Sequence, residues 1–389
     1  MFASCVAAFS TDSFSTAEAA KVYETPYYYT MLTDNAKLAY KDLKKAILSC
    51  DKSVKIKYSI DQKDFEKIVE LLIFHDPMTF NLKNIEVSSN ANSIKFKLSY
   101  RYDKETYDKM VAGYQKKTDE ILGKLTDDMS VYKKIRTIHD SIINNTVYDL
   151  DNPTGDTVYG TLVKNKAKCD GYAKTFSYIC GQAGIRTVTV IGDDKKDSSD
   201  SMHMWNKVYY NKKWYNVDVT WDDPVGNLKD NLQYDFFMVS DDALKNTHSE
   251  DNFSFDAPAA DDDSKDYFVV NKKYAEDLDT AKDILKKGLI SAAGKNKNCV
   301  TFKCSSKSVY EEVKNYVNNS DAISKIIESV NKKAGSSLIP EIYSNNFNDD
   351  QYIISLYVFY ENSDLDDYFT SLSELDSSAL KLLAKYGIK

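Results

Sequence analysis

Three reactive side chains, the order they occur in, and the pattern around each constrain this chain more than anything else in it. Cys169 opens a stretch of helical period, with Tyr172, Ala173, Phe176, Ile179 and Cys180 on one face and Gly184 as the stop. A thiol at a helix start sits in the positive end of the helix dipole, which favours the thiolate. Arg186 to Ile191 then alternates as a strand. His203 heads a further strand that runs to Tyr210, and Asn211-Lys212 turns the chain into a last strand through Val217-Asp218-Val219. If that turn has two residues, Tyr210 faces Lys213 and Asp218 lies opposite Trp205. His203, two residues from Trp205, then shares a sheet face with Asp218. Such diagonal neighbours lie ~7–8 Å apart at the backbone, close enough for a His–carboxylate contact. A thiol, a base beside it and a third group that holds the base in one tautomer are what nucleophilic catalysis at sulfur needs.

These residues resemble the transglutaminase-like superfamily, papain-related Cys-His-Asp thiol enzymes, in the manner of a bacterial exported member. The matching motifs are Cys169-Asp170-Gly171-Tyr172-Ala173, His203-Met204-Trp205-Asn206 and Val217-Asp218-Val219-Thr220-Trp221-Asp222, separated by 34 residues from Cys169 to His203 and 15 from His203 to Asp218. The resemblance implies an α+β fold: a papain-like core in which the helix bearing the Cys packs on an antiparallel sheet bearing the His and Asp, flanked by smaller α/β modules. It implies that Cys169 is the nucleophile that forms a thioester, His203 the base and then the acid, and Asp218 the group that orients His203. The oxyanion would take the backbone N–H of Cys169 and one further donor, for which Tyr159 is the candidate; Trp205 and Trp221 would wall the site. No cofactor and no metal is implied. Cys169, His203 and Asp218 could ligate zinc, but the papain-type order accounts for them better.

The rest of the chain organises around this block. Helical periods at 33–50, 64–74, 104–125 and 130–144, a strand over Val54–Ile60, and a hairpin of Ile85–Val87 with Ile94–Tyr102 precede it. After it, Val300 and Phe302 suggest a strand, 307–331 a helix in one or two pieces, and Ile339–Tyr343 with Ile353–Tyr360 a second hairpin. The β-α-β-β order thus occurs twice, which raises the hypothesis of a duplicated module. The expected domains are 1–20 as the remnant of a signal peptide, 21–125 as an N-terminal α/β module, 126–290 as the catalytic core and 291–389 as a C-terminal α/β module. The acidic run Asp256 to Ser264 reads as a surface loop or linker, without the Gly and spaced ligands of a calcium loop.

The start of the chain bears on location. Phe2–Phe9 is apolar and Ala17-Glu18-Ala19 has the small-x-small form of a cleavage site, so a secreted or cell-surface protein is expected, with a lipid anchor at Cys5 as the lesser variant. Cys50, Cys169, Cys180, Cys299 and Cys304 then remain, an odd number that leaves a free thiol and forms no zinc-type pair. Net charge is −8 and the only arginines are Arg101, Arg136 and Arg186, which speaks against a nucleic-acid partner. No apolar run reaches the length of a membrane span. His75 reads as a cap or packing residue, and His139 and His248 as structural.

Two functions follow. The first is a thiol enzyme that acts on amide bonds outside the cell, as peptidase, amidase or protein-glutamine acyl transferase, with a protein or peptide substrate such as a cell-wall peptide. The alternative is a surface protein-interaction or cell-wall-binding module whose transglutaminase-like scaffold is catalytically silent.

Overall fold

The computed structural model describes residues 26–90, 93–196, 202–223, 232–251, 253–294, 299–334 and 343–358. The expected leader and Cys5 lie outside them. The fold is α+β, and the chain divides into two compact units, Met1–Gly123 and Lys124–Lys389. Among the described residues no helix is long and apolar enough to cross a membrane.

In the first unit, helix α1 (Asp34–Leu48) starts where the Thr33 hydroxyl accepts the Ala36 N–H, and it buries Ala36, Ala39, Tyr40, Leu43 and Ile47 along one stripe. Strand β1 (Ser53–Ile56) and helix α2 (Gln62–Glu70) follow, and α2 runs on as one π-helical turn, Leu71–His75, before Asp76-Pro77 stops it. The hairpin of β2 (Leu82–Asn90) and β3 (Ser93–Tyr100) completes an antiparallel sheet of order β1-β3-β2, and helix α3 (Lys104–Leu122) closes the unit. A buried ion pair, Lys44 Nζ to Asp76 Oδ2 at 2.7 Å, ties α1 to the turn after α2, and Tyr40 donates to the same oxygen.

The second unit opens with α4 (Val131–Ile143), capped by Ser130, and a parallel pair of two-residue strands, β4 (Val147–Tyr148) and β5 (Lys166–Ala167), which flank the short helix α5 (Val158–Leu162). Helix α6 (Cys169–Gln182) follows β5 directly. Every residue from Gly171 to Cys180 in it is buried, so it is a core helix rather than a surface one. It lies against a five-stranded antiparallel sheet: β6 (Thr187–Asp194), β7 (Met202–Tyr210), β8 (Lys213–Val217), β9 (Phe237–Val239) and β10 (His248–Glu250), in the order β10-β6-β7-β8-β9. Asn206 on β7 donates to the Ala173 carbonyl of α6 at 3.1 Å, and Ser177 meets Thr187 at 2.9 Å.

Asn211 and Lys212, both at positive φ (50° and 66°), form the two-residue turn between β7 and β8. Tyr210 pairs with Lys213 and Asn206 with Val217, the register the sequence predicts. The chain then crosses Asp218 and the loop beyond it before β9.

The C-terminal part packs on this unit. Strand β11 (Tyr274–Ala275) and helix α7 (Leu278–Gly294) lead to β12 (Cys299–Cys304), helices α8 (Lys307–Val317) and α9 (Ser320–Ala334), and the hairpin of β13 (Tyr343–Asn348) and β14 (Ile353–Val358). The sheet order is β11-β12-β14-β13. In both modules a strand that follows a helix pairs with the last strand of a later hairpin, β1 with β3 and β12 with β14. The expected strand at Ile339–Tyr343 falls, except for Tyr343, on residues 335–342, which lie outside the described residues; the described strand of this hairpin, Tyr343–Asn348, reads YSNNFN and carries little apolar alternation. The acidic loop at 256–264 is tied down by its carboxylates, with Asp262 on Lys213 and Tyr215 and Asp263 on the Ser240 N–H.

Two glycines allow the close approaches that place α6 and β10. A Cβ at Gly171 would strike the Gly155 carbonyl, and one at Gly192 would strike the Ser249 carbonyl and the Trp205 ring. Gly171→Ala should therefore lose stability by about 1–3 kcal/mol, the usual cost of overpacking. Urea unfolding of the two proteins measures this, and equal midpoints would show that the approach is not tight.

Candidate active site

Cys169 is the first residue of α6, behind an N-cap at Lys168. It is half-exposed, whereas Cys180, deep in the same helix, is fully buried and burial holds its thiol well above the ordinary range. None of the described cysteines is in a disulfide.

His203 is the second residue of β7 and Asp218 follows the end of β8, so the hairpin brings the two together. His203 Nε2 lies 2.6 Å from Asp218 Oδ2, and both side chains are buried. The Cys169 side chain hydrogen-bonds His203. Because Nε2 is occupied by the carboxylate, Nδ1 is the nitrogen left for sulfur. Burial pulls the His203 pKa down, but the Asp218 charge and hydrogen bond, together with Cys169, outweigh it and lift it to about 10. Burial pushes Asp218 the other way, and the His203 and His248 donors overcome it and hold the carboxyl below its usual range.

Asp218 has four donors. Its Oδ1 accepts the N–H groups of Thr220 at 2.9 Å and Trp221 at 3.1 Å, and its Oδ2 accepts from His203 and, at 2.9 Å, from His248 Nε2. His248, expected to be structural, therefore sits on the same carboxylate oxygen as His203. Trp205 lies nearly parallel to the His203 ring at 5.9 Å between centroids, and Trp221 is 5.8 Å from it; both also touch His248, at 5.0 and 4.6 Å. Trp205 is held by its indole N–H on Asn216 Oδ1 at 3.0 Å.

Tyr159 lies in α5, half-buried, with Lys164 Nζ 5.5 Å from its ring centroid. Tyr148, at the end of β4, has its pKa raised by burial first and then by the charges of Cys169, Asp170, Asp194 and Asp218. Neither Tyr148 nor His248 is singled out by the sequence. Each lies on a two- or three-residue strand, too short for a period, and each is placed by pairing with a segment distant in the chain. With only four histidines in the chain, testing each one against Asp218 was the available signal.

His203, Asp218 and His248 bring potential metal-ligand atoms within 4.8 Å of one another. Both imidazole Nε2 atoms, however, point at one carboxylate oxygen at hydrogen-bond distance, and protons account for that geometry. Farther out, His139 sits between Asp140 and Asp222, 3.0 and 3.1 Å away. Burial opposes its charge, yet carboxylates on both ring nitrogens raise its pKa to about 9. Through His139, Asp222 fixes the segment after Asp218 to α4, and its other oxygen accepts the Phe236 N–H.

Residues 115–219 match the family model described as the transglutaminase-like superfamily. That segment, which holds Cys169, His203 and Asp218, is what is similar to a transglutaminase-like domain. Over 68 residues it is 40% identical to the kyphoscoliosis peptidase of Mus musculus and 38% identical to that of Homo sapiens, a stretch covering 15% of this chain and 10% of each relative. The chain thus spans about a tenth of the length of these curated relatives. Among solved structures, the crystal structure of a TGase is similar to 43% of this chain over 50% of its own, at 15% identity and a TM-score of 0.26.

The shifts of the pair set a pH window for stability. His203, raised from 6.5 to about 10, contributes fully below pH 6.5 and loses its contribution as pH rises through about 10. Asp218, lowered from 3.8, contributes above pH 3.8 and loses its contribution as pH falls through its depressed value. Asp218→Asn should then cost most between pH 3.8 and 6.5, by about 3–5 kcal/mol for breaking a buried pair, and progressively less toward pH 10. Melting curves of both proteins across that range check this; a gap independent of pH would mean the pair is not charged.

Proposed function

We propose that this chain is a thiol enzyme acting on amide carbonyls, with Cys169 as nucleophile, His203 as general base and then acid, and Asp218 as the group that orients His203. The observation that carries the reading is the sequence of contacts Cys169–His203–Asp218, with the thiol half-exposed at a helix start and its two partners buried. In that geometry the proton of the thiol passes to His203 Nδ1, and the sulfur attacks the carbonyl carbon. The C–N bond breaks as His203 returns the proton to the leaving amine. Water or a second amine then gives its proton to His203 and attacks the thioester, releasing acid or a new amide and restoring the thiol. The Cys169 backbone N–H at the helix start is one donor to the oxyanion. The second donor is taken as Tyr148, at the end of β4, where the charge of Cys169 is felt, with Tyr159 of α5 as the alternative. Trp205 and Trp221 wall the approach. The substrate class is protein or peptide, and the reading includes export, on the strength of the apolar Phe2–Phe9 and the small residues after it.

Alkylation by iodoacetamide against pH, read for each cysteine by mass spectrometry, tests this. Cys169 should label fast well below the ordinary thiol pKa of about 8.5, His203→Ala should abolish the advantage, and Cys180 should stay unlabelled. An ordinary thiol profile at Cys169 would overturn the reading in favour of the interaction module. Once a substrate is known, Tyr148→Phe should lower kcat by about a hundredfold, the loss of one oxyanion donor, with little change in KM; an unchanged kcat would remove Tyr148 from that role.

A further inference from the structure

His248 opens β10 and pairs with Asp194, the last residue of β6. Its ring is buried among Trp205, Trp221 and Phe236, and its Nε2 reaches the Asp218 oxygen that His203 also uses. An ionised carboxylate only accepts hydrogen bonds, so both Nε2 atoms must carry hydrogen. For a neutral His248 this requires Nδ1 to be an acceptor. The Thr247 hydroxyl, 2.8 Å away, supplies the proton that Nδ1 needs. The hydroxyl has one other acceptor, the Leu244 carbonyl at 3.1 Å, so it can turn without any heavy atom moving. Burial, the largest influence on His248, keeps the ring on the neutral side of its ordinary range despite the Asp218 carboxylate.

We propose that His248 is a positioning residue for the Cys169–His203 pair: its Nε2–H, held in that tautomer by Thr247, locks the Asp218 carboxylate against which His203 is oriented. The inference rests on the thiol-enzyme reading above. Oδ1 is fixed by two backbone N–H groups and Oδ2 by two imidazoles, so the carboxylate plane cannot rotate. Remove the His248 donor and Oδ2 is held by His203 alone, the group it is meant to orient. A buried acceptor also loses a partner, at a cost beyond that of an exposed one. Gly192 belongs to the same device, since only a residue without Cβ lets both β10, at the Ser249 carbonyl, and the Trp205 ring come this close to β6.

The ring could instead matter only as packing, and two variants separate the cases. His248→Phe keeps the aromatic ring and deletes the hydrogen bond. His248→Gln deletes the ring and places an amide N–H near the Nε2 position. Both are made in the full chain, with melting temperatures recorded and the low-pH alkylation rate of Cys169 as the readout. Positioning predicts that His248→Phe slows labelling about tenfold, a loss of one charge-assisted bond, and that His248→Gln recovers most of it. Packing predicts the reverse order. Thr247→Val, which frees His248 to take the other tautomer, should also slow labelling without a matching loss of stability; it carries the test if His248→Phe does not fold. A fast wild-type Cys169 with unchanged rates in His248→Phe and Thr247→Val would overturn the inference alone. A slow wild-type Cys169 would overturn the thiol-enzyme reading, and this inference with it.

Discussion

A carboxylate removed from water must be supplied with hydrogen bonds by the chain around it, and Asp218 has no exposed surface at all. Its four donors come from three places in the sequence: two backbone N–H groups of its own loop, His203 on β7, and His248 on β10. The sheet order β10-β6-β7-β8-β9 is what makes this possible. Asp218 and His203 are brought together by a hairpin, whereas His248 arrives from the far edge of the sheet, across β6. The negative charge so held is what keeps His203 charged despite its burial, and His203 is what the Cys169 sulfur meets.

The surrounding structure guards that arrangement with further buried polar groups. Lys207, on β7 ahead of the hairpin turn, is fully buried and answers Glu250, Asp241 and the Pro258 carbonyl. Asp241 also takes the Asn216 amide, and Asn216 takes the Trp205 indole. A path of hydrogen bonds therefore runs from the wall of the site to β10 and to the loop at 256–264. Buried charges of this kind add little net stability, but losing one partner leaves the other stranded, so they hold one arrangement against its alternatives.

What the sequence disclosed, and what it did not, divides along one physical line. The Cys169 helix, the β7–β8 register and the facing of His203 and Asp218 were readable because they depend on local periods and a two-residue turn that fixes parity. His248 and Tyr148 depend on strands of two or three residues whose partners lie far away in the chain, and no local pattern announces such a pairing. The π-helical turn at Leu71–His75 prolongs an ordinary amphipathic period and was read as part of it. Strand β13 escaped because its residues are polar and its position comes from pairing with β14, Tyr343 to Val358 through Asn348 to Ile353.

The asymmetry of exposure within the site bears on its chemistry. His203, Asp218 and His248 are buried, whereas Cys169 is half-open. The low-polarity walls of Trp205 and Trp221 strengthen the His203–Asp218 attraction by excluding water from it. Solvent and substrate still reach the thiol from the helix start, where the backbone N–H groups point outward. On the proposed reading, a carbonyl oxygen approaching there meets donors already in place, and His203 needs no rearrangement to move its protons. If Cys169 is the nucleophile proposed above, a buried, fully hydrogen-bonded Asp218 is the condition for it: the rigidity is carried at depth so that the half-open residue can be left accessible.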